Sequence, residues 1–204
     1  FLMIRRPPRS TLDRSSSASD VYKRQALEIL SESKNRRILT LDPLGELTDE
    51  PKIRQVQGGW LSQIQGIPNI DWKIVSDVTE RTLDWDELNL ARFGTSVIAE
   101  VQSNAIILVR KTENDYSTVG VGPGQTSRVE SVRIAARRAG ERAKGAMMIS
   151  DAFFPFRDGI DTSNEIGITS IVQPGGSIRD DEVIEAANQH DMAMIFTGTR
   201  LFRH

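Results

Sequence analysis

Four stretches of this 204-residue chain combine residue types that can do chemistry. Gly120-Val121-Gly122-Pro123-Gly124 leads into a stretch of helical spacing that carries Arg128. Glycines before a helix amino terminus can hold a phosphate, because free N–H groups and the helix dipole both favour an anion. The string meets neither standard phosphate-loop pattern. It lacks Gly-Lys-Ser/Thr, and Pro123 and the spacing do not fit G-x-G-x-x-G. Glycines that merely permit a tight strand-to-helix turn are the competing reading. Arg128 keeps the first one open, since a cation in a first helical turn is disfavoured by the dipole unless it faces an anion.

Ser150-Asp151-Ala152-Phe153-Phe154-Pro155-Phe156-Arg157-Asp158 follows an apolar run of strand length. Its aromatics can be core and its charges a surface pair. They can equally be a wall for a flat ring, with a carboxylate accepting hydrogen bonds from amino and ring N–H groups. Gly175-Gly176-Ser177 with Asp180 three residues on reads first as a helix cap. His190, beside Asp191, is expected as a solvated or helix-end residue, and His204 as a terminal tail.

Composition narrows the chemistry further. The chain is 38% hydrophobic and 26% charged, with a net charge of -2. It has no cysteine, which excludes disulfides, thiolate nucleophiles and cysteine-ligated zinc or iron–sulfur centres. Two histidines cannot build a multi-histidine metal site. No apolar run is long enough to cross a bilayer, so no membrane partner is expected. A mildly acidic chain also lacks the basic surplus of a nucleic-acid binder.

The charge is unevenly spread. Residues 1–25 hold six basic and two acidic side chains, against 20 basic and 26 acidic over 26–204. Pro7-Pro8 and Ser15-Ser16-Ser17 disfavour regular structure in that opening stretch. An Arg- and Ser-rich terminus can be a transit peptide, but Pro7-Pro8 would break its amphipathic helix. The string more closely resembles translated sequencing-adapter read-through. Residues 1–25 are therefore expected to be non-native and disordered, and 26–204 to form the domain.

The elements that must position the four stretches follow from periodicity. Ala26–Leu30 reads as the end of a helix and Arg37–Leu41 as a strand stopped by Asp42-Pro43. Ile53–Gln57 and Trp60–Ile64 alternate around Gly58-Gly59, predicting two β segments and a bend. Asp84 and Glu87 form a capping-box pattern before a helix to about Val101. Asn104–Val109 and Ser117–Val121 predict a hairpin, followed by a helix from about Gln125 to Ala143 with Val129, Val132, Ala136 and Ala139 inward. Strands at Ala146–Ile149, Ile168–Val172 and Met192–Phe196 alternate with helices over Thr162–Ile166 and after a Ser177 cap. This rhythm predicts a layered α/β domain with ligands at the carboxyl ends of strands.

Five strings carry a resemblance: Q-S-N-A-I, G-V-G-P-G-Q-T-S-R-V, S-D-A-F-F-P-F-R-D-G-I-D, Q-P-G-G-S-I-R-D and R-L-F-R-H. In order and with consistent gaps over 26–204, they resemble the transformylase half of the bifunctional purine-biosynthesis family that joins AICAR formyltransferase to IMP cyclohydrolase. The resemblance implies a cytidine-deaminase-like three-layer α/β/α fold, truncated here at its amino end. It implies transfer of a formyl group from 10-formyltetrahydrofolate to the 5-amino group of AICAR, giving FAICAR, without zinc. The zinc deaminase signature with its paired cysteines is indeed missing from the sequence.

Carried over motif by motif, the resemblance implies that Asn104, Arg128, Phe153 and Arg200 bind AICAR, Arg200 through the 5′-phosphate. Val129, Asp158, Ser177 and Ile178 would line the folate pocket, and Asp151, Phe156, Phe202 and His204 would line the site. The parent is expected to be a cytoplasmic homodimer with sites near the interface. The family's catalytic Lys-His pair belongs to an earlier part of the transformylase region, and nothing in 26–204 matches it. The resemblance thus implies a carboxyl-terminal fragment without proton-transfer machinery and without the cyclohydrolase domain. A non-catalytic nucleotide- or folate-binding α/β module is the alternative, and the failed glycine patterns disfavour a P-loop or Rossmann domain.

Overall fold

The computed structural model describes residues 2–5, 25–33, 35, 37–41, 51–64, 69–113 and 115–203. The chain divides into two compact units, Phe1–Asp49 and Glu50–His204. In the first, strand β1 (Leu2–Arg5) pairs in parallel with β2 (Ile38–Leu41), and a helix, α1, spans residues 25–31. The sequence predicts no regular structure before residue 26, so β1 is a correction. Leu2-Met3-Ile4 is an apolar run of strand length, and Pro7-Pro8 constrains only the chain beyond it. Residues 6–24 lie outside those described.

The second unit opens with β3 (Pro51–Val56) and β4 (Gly59–Ile64), an antiparallel ribbon whose turn contains Gly58 at φ +87°. Its main body is a six-stranded sheet in the order β5-β10-β9-β8-β6-β7. The strands are β5 (Ser76–Asp77), β6 (Ile106–Lys111), β7 (Tyr116–Gly122), β8 (Met147–Ser150), β9 (Ser170–Gln173) and β10 (Ala193–Phe196). Strands β8, β9 and β10 are mutually parallel, while β6 runs antiparallel to both β7 and β8. The carboxyl ends of β7, β8, β9 and β10 and the amino end of β6 therefore share one edge of the sheet.

Helices cover both faces. α2 (Trp85–Ile98) packs its Leu90, Ala91 and Ile98 with Ile107, Val109, Met147, Ile149, Val172 and Ile195. On the other face α3 (Arg128–Ala139), α4 (Asp158–Ile166) and α5 (Asp180–Gln189) pack on Ile106, Leu108, Met148, Ile171 and Met194. Successive strand residues thus enter opposite cores. Burial on both faces explains why these strands read as continuous apolar runs rather than alternating ones.

The capping box at α2 forms as expected, with Glu87 N–H donating to Asp84 and Asp84 N–H to the Glu87 carboxylate. Other limits shift. α3 ends at Ala139, and Gly140–Ala143 continue as a 3-10 turn. Its buried face is Ser131, Val132, Ala135 and Ala139, leaving the expected Val129 and Ala136 half-buried. Gly120 and Gly122 are the cause, for they let the α3 backbone lie directly on β7. A Cβ on Gly122 would overlap the Ser131 carbonyl oxygen, and one on Gly120 that of Ala135. α4 begins at Asp158, four residues before the expected Thr162. β5, with two residues, is too short to have a period. No helix among the described residues is long and apolar enough to cross a membrane.

Candidate functional site

Asp151 leaves β8 with a side chain that is 0% exposed. A carboxylate so buried needs a counter-charge and donors for its lone pairs. Arg128 Nη2 donates to Oδ1 at 2.8 Å, and the Ala105 main-chain N–H donates to Oδ2 at 2.9 Å. The Asp151 carbonyl accepts from Leu201 N–H at 2.8 Å. One residue thereby ties β6, α3, β8 and the carboxyl-terminal segment together. Arg128 opens α3 and does face an anion, but that anion is the protein's own Asp151. The same guanidinium donates from Nη2 to Asn104 Oδ1 and from Nη1 to the Phe153 carbonyl, each at 3.1 Å. Its Nε is buried with no partner among the described residues. Asn104 is fixed in turn by Nδ2 donating to the Gln125 carbonyl at 2.9 Å.

The phenylalanines of the 151–158 loop divide between the two readings. Phe154 is core at 1% exposure, with its ring against Gly159. Phe156 is 47% exposed and lies beneath the Arg179 guanidinium, 4.7 Å from the ring centroid. Phe153 is half-buried, with the exposed Arg200 guanidinium 5.0 Å from its ring centroid. Among the described residues Arg200 makes no salt bridge, which leaves a cation poised over an aromatic ring at the loop edge.

Asp158 is exposed, and its Oδ1 accepts the neighbouring Gly159 N–H at 2.8 Å. It does not pair with Arg157, which makes a two-pronged contact to Asp161 at 2.9 Å on each prong. His190 Nε2 reaches the same carboxylate at 2.8 Å, so the helix-end histidine joins α5 to α4. The Arg157 hydrogen bonds first, and the His190 contact second, push the Asp161 carboxyl down from 3.8 to about 2.

Ser177 is not the cap of α5. Asp180 accepts from Gly176 N–H at 2.7 Å and Ser177 N–H at 3.1 Å, and the helix starts at Asp180 itself. Ile178 beside it is fully exposed, Val129 is half-buried, and the Phe202 carbonyl accepts from Gln63 Nε2 at 2.6 Å. His204 lies outside the described residues.

Asn104, Arg128, Asp151, Phe153 and Arg200 thus form one contact chain. The second set sits at the same sheet edge, with Phe156, Ser177 and Ile178 on the segments that leave β8 and β9 and Asp158 at the start of α4. Among the described residues no three His, Asp or Glu side chains converge as a metal-ligand group. Sequence reading missed Gln173, a fully buried amide whose Oε1 accepts the Phe154 N–H at 2.9 Å. A polar residue ending the apolar run Ile171-Val172 was the available signal.

Fold and site together define an α/β protein with a polar, arginine-bearing cluster at the edge of a mixed sheet where the carboxyl ends of β7, β8, β9 and β10 gather. Residues 18–138 match the family model described as AICARFT/IMPCHase bienzyme, and the chain belongs to that family. Relatives named bifunctional purine biosynthesis protein PurH are 44% identical over 183 residues in Anoxybacillus flavithermus and 45% over 191 in Roseobacter denitrificans. The one in Bacillus subtilis is 42% identical over 186 residues. These matches take in 88–90% of this chain but 35% of each relative. The chain therefore spans about a third of the length of the curated relatives it matches. A RibD chain of Acinetobacter baumannii superposes with a TM-score of 0.36 at 14% identity, over 53% of this chain and 32% of that one.

Proposed function

We propose that the cluster at the sheet edge is the nucleotide and folate half-site of an AICAR formyltransferase, acting in purine biosynthesis in the cytoplasm. In this reading the six-stranded sheet, with α2 on one face and α3, α4 and α5 on the other, is a cytidine-deaminase-like three-layer domain. Asn104 and Arg128 take the AICAR carboxamide end, the Phe153 main chain positions the ring, and Arg200 holds the 5′-phosphate. Val129, Asp158, Ser177 and Ile178 line the folate side. Residues 1–25, the adapter-like string, supply none of these groups and take no part in the site.

The observation that carries the reading is the contact chain from half-buried Asn104 and Arg128 and buried Asp151 through Phe153 to Arg200. It pairs a neutralised, hydrogen-bonding end with a guanidinium that makes no salt bridge among the described residues, as a base and a phosphate require. In formyl transfer the AICAR amine attacks the formyl carbon, the N10–C bond breaks, and the amine's proton must leave. The sequence contains no Lys-His dipeptide for that last task. The chain accordingly binds both ligands and turns neither over. In the parent enzyme, two copies would place such half-sites near their interface.

Calorimetric titration of the 204-residue chain with AICAR and with a folate analogue, beside a FAICAR assay with 10-formyltetrahydrofolate, tests this. Binding of both without product is expected. Absence of AICAR binding sinks the reading, and turnover abolished by changing His204 overturns its chemistry.

A further inference from the structure

We propose that Gln173 is a positioning residue that sets the span between Phe153 and Arg200, and so the preference of the site for a phosphorylated ligand. The proposal rests on the reading that this site takes AICAR. Gln173 ends β9 with 0% exposure, in a position where an apolar side chain would pack without leaving polar atoms to satisfy. What the amide adds is an acceptor. Its Oε1 takes the Phe154 N–H at 2.9 Å, while Nε2 rests on Met194 Sδ, a weak acceptor, at 3.1 Å.

The Phe154 N–H and the Phe153 carbonyl belong to one peptide unit. Arg128 Nη1 holds its oxygen and Gln173 holds its N–H, so the plane is gripped at both ends. That plane aims the Phe153 ring at Arg200. The other partner hangs from the same residue: Thr197 N–H donates to the Gln173 carbonyl at 2.9 Å, and Gly198 N–H to that of Pro174 at 3.0 Å. The turn carrying Arg200 and the peptide carrying Phe153 are thus referenced to a single point at the end of β9. A ligand with a ring at one end and a phosphate at the other spans the distance that this point fixes.

Gln173→Met removes the acceptor at nearly constant volume, and Gln173→Glu keeps an oxygen at the same reach. The full chain is titrated well below its melting temperature with AICAR and with the corresponding riboside, which lacks the phosphate. Hydrogen exchange at the Phe154 amide is followed in parallel. Gln173→Met should weaken AICAR by about tenfold and the riboside by much less, with Phe154 exchange accelerated. Gln173→Glu should recover most of the AICAR affinity and the Phe154 protection. A residue that only stabilises the fold would lower the melting temperature and leave the ratio of the two affinities unchanged. That result, or a Phe154 amide as protected in Gln173→Met as in the wild type, overturns the proposal. A wild-type chain that binds neither ligand refutes the functional reading instead, while Phe154 exchange still decides whether Gln173 holds the peptide.

Discussion

Arg128 and Asp151 stand 2.8 Å apart at 10% and 0% side-chain exposure, and they close the gap between the first turn of α3 and the end of β8. A pair this buried gives little net stability over an apolar equivalent, but losing one partner strands the other in low dielectric. Asp151→Ala should therefore destabilise the chain by about 3–5 kcal/mol. Arg128→Met combined with Asp151→Leu should recover a large part of that, less the cost of the orphaned Ala105 N–H. Urea denaturation of the wild type and the two variants measures it. If the single and double changes cost the same, the pair does not behave as a buried couple.

The approach of α3 to β7 makes a second, purely steric forecast. Gly122→Ala drives a methyl into the Ser131 carbonyl of the helix backbone, an overpacking that costs about 1–3 kcal/mol or more. Gly59→Ala meets nothing within 4 Å, and Gly59 is not at positive φ, so its melting temperature should stay within error of the wild type. Equal shifts for the two would mean that α3 stands further from the sheet than described.

The two glycines under α3, Gly120 and Gly122, bear on what could be read from sequence. Gly120 and Gly122 invite a phosphate-loop reading, yet their use is close backbone packing, which no local pattern encodes. The strands of the main sheet, apart from β5, and the capping box at Asp84 and Glu87 were legible because periodicity and capping are local. Phe154 and Phe156 are two residues apart and meet opposite fates, core and surface. What decides is that Gly159 in the first turn of α4 and Gln173, 19 residues on from Phe154 at the end of β9, receive the one and not the other. The Arg157–Asp161–His190 cluster escaped for the same reason, since His190 comes from a different helix.

That cluster gives the chain an acid-sensitive tie. Asp161 titrates at about 2 when folded, held down chiefly by Arg157 and then by His190, against 3.8 without them. A folded-state value below the unfolded one means the contribution is present above about pH 4 and is lost as pH falls towards 2. Wild type minus Asp161→Asn, measured as melting temperature against pH, should be positive and level at neutral pH and shrink towards zero between those limits. Because Arg157 and Asp161 are 39% and 36% exposed, added salt should reduce the difference at pH 7. A gap that persists unchanged at pH 2 would show that Asp161 acts through packing, not charge.

Asp158 at the start of α4 and Arg200 on the segment after β10 lie at the same sheet edge, and the proposed function gives them different ligands. Asp158 is exposed and, among the described residues, engaged only with its neighbour's N–H, so its second oxygen is open to a ring that offers paired donors. Charge-assisted hydrogen bonds of that kind contribute about 1.5–3 kcal/mol, so Asp158→Ala should weaken folate binding by roughly ten- to a hundred-fold and leave AICAR nearly untouched. Arg200→Ala should do the reverse, since its proposed partner is the nucleotide phosphate. The alternative for Asp158 is a helix-start role at α4, where an acidic side chain favours the dipole. Its loss would then lower the melting temperature and leave folate affinity alone. Measuring both dissociation constants and the melting temperature on both variants separates the cases. Equal losses for both ligands in either variant would mean that the two halves of the pocket are assigned wrongly.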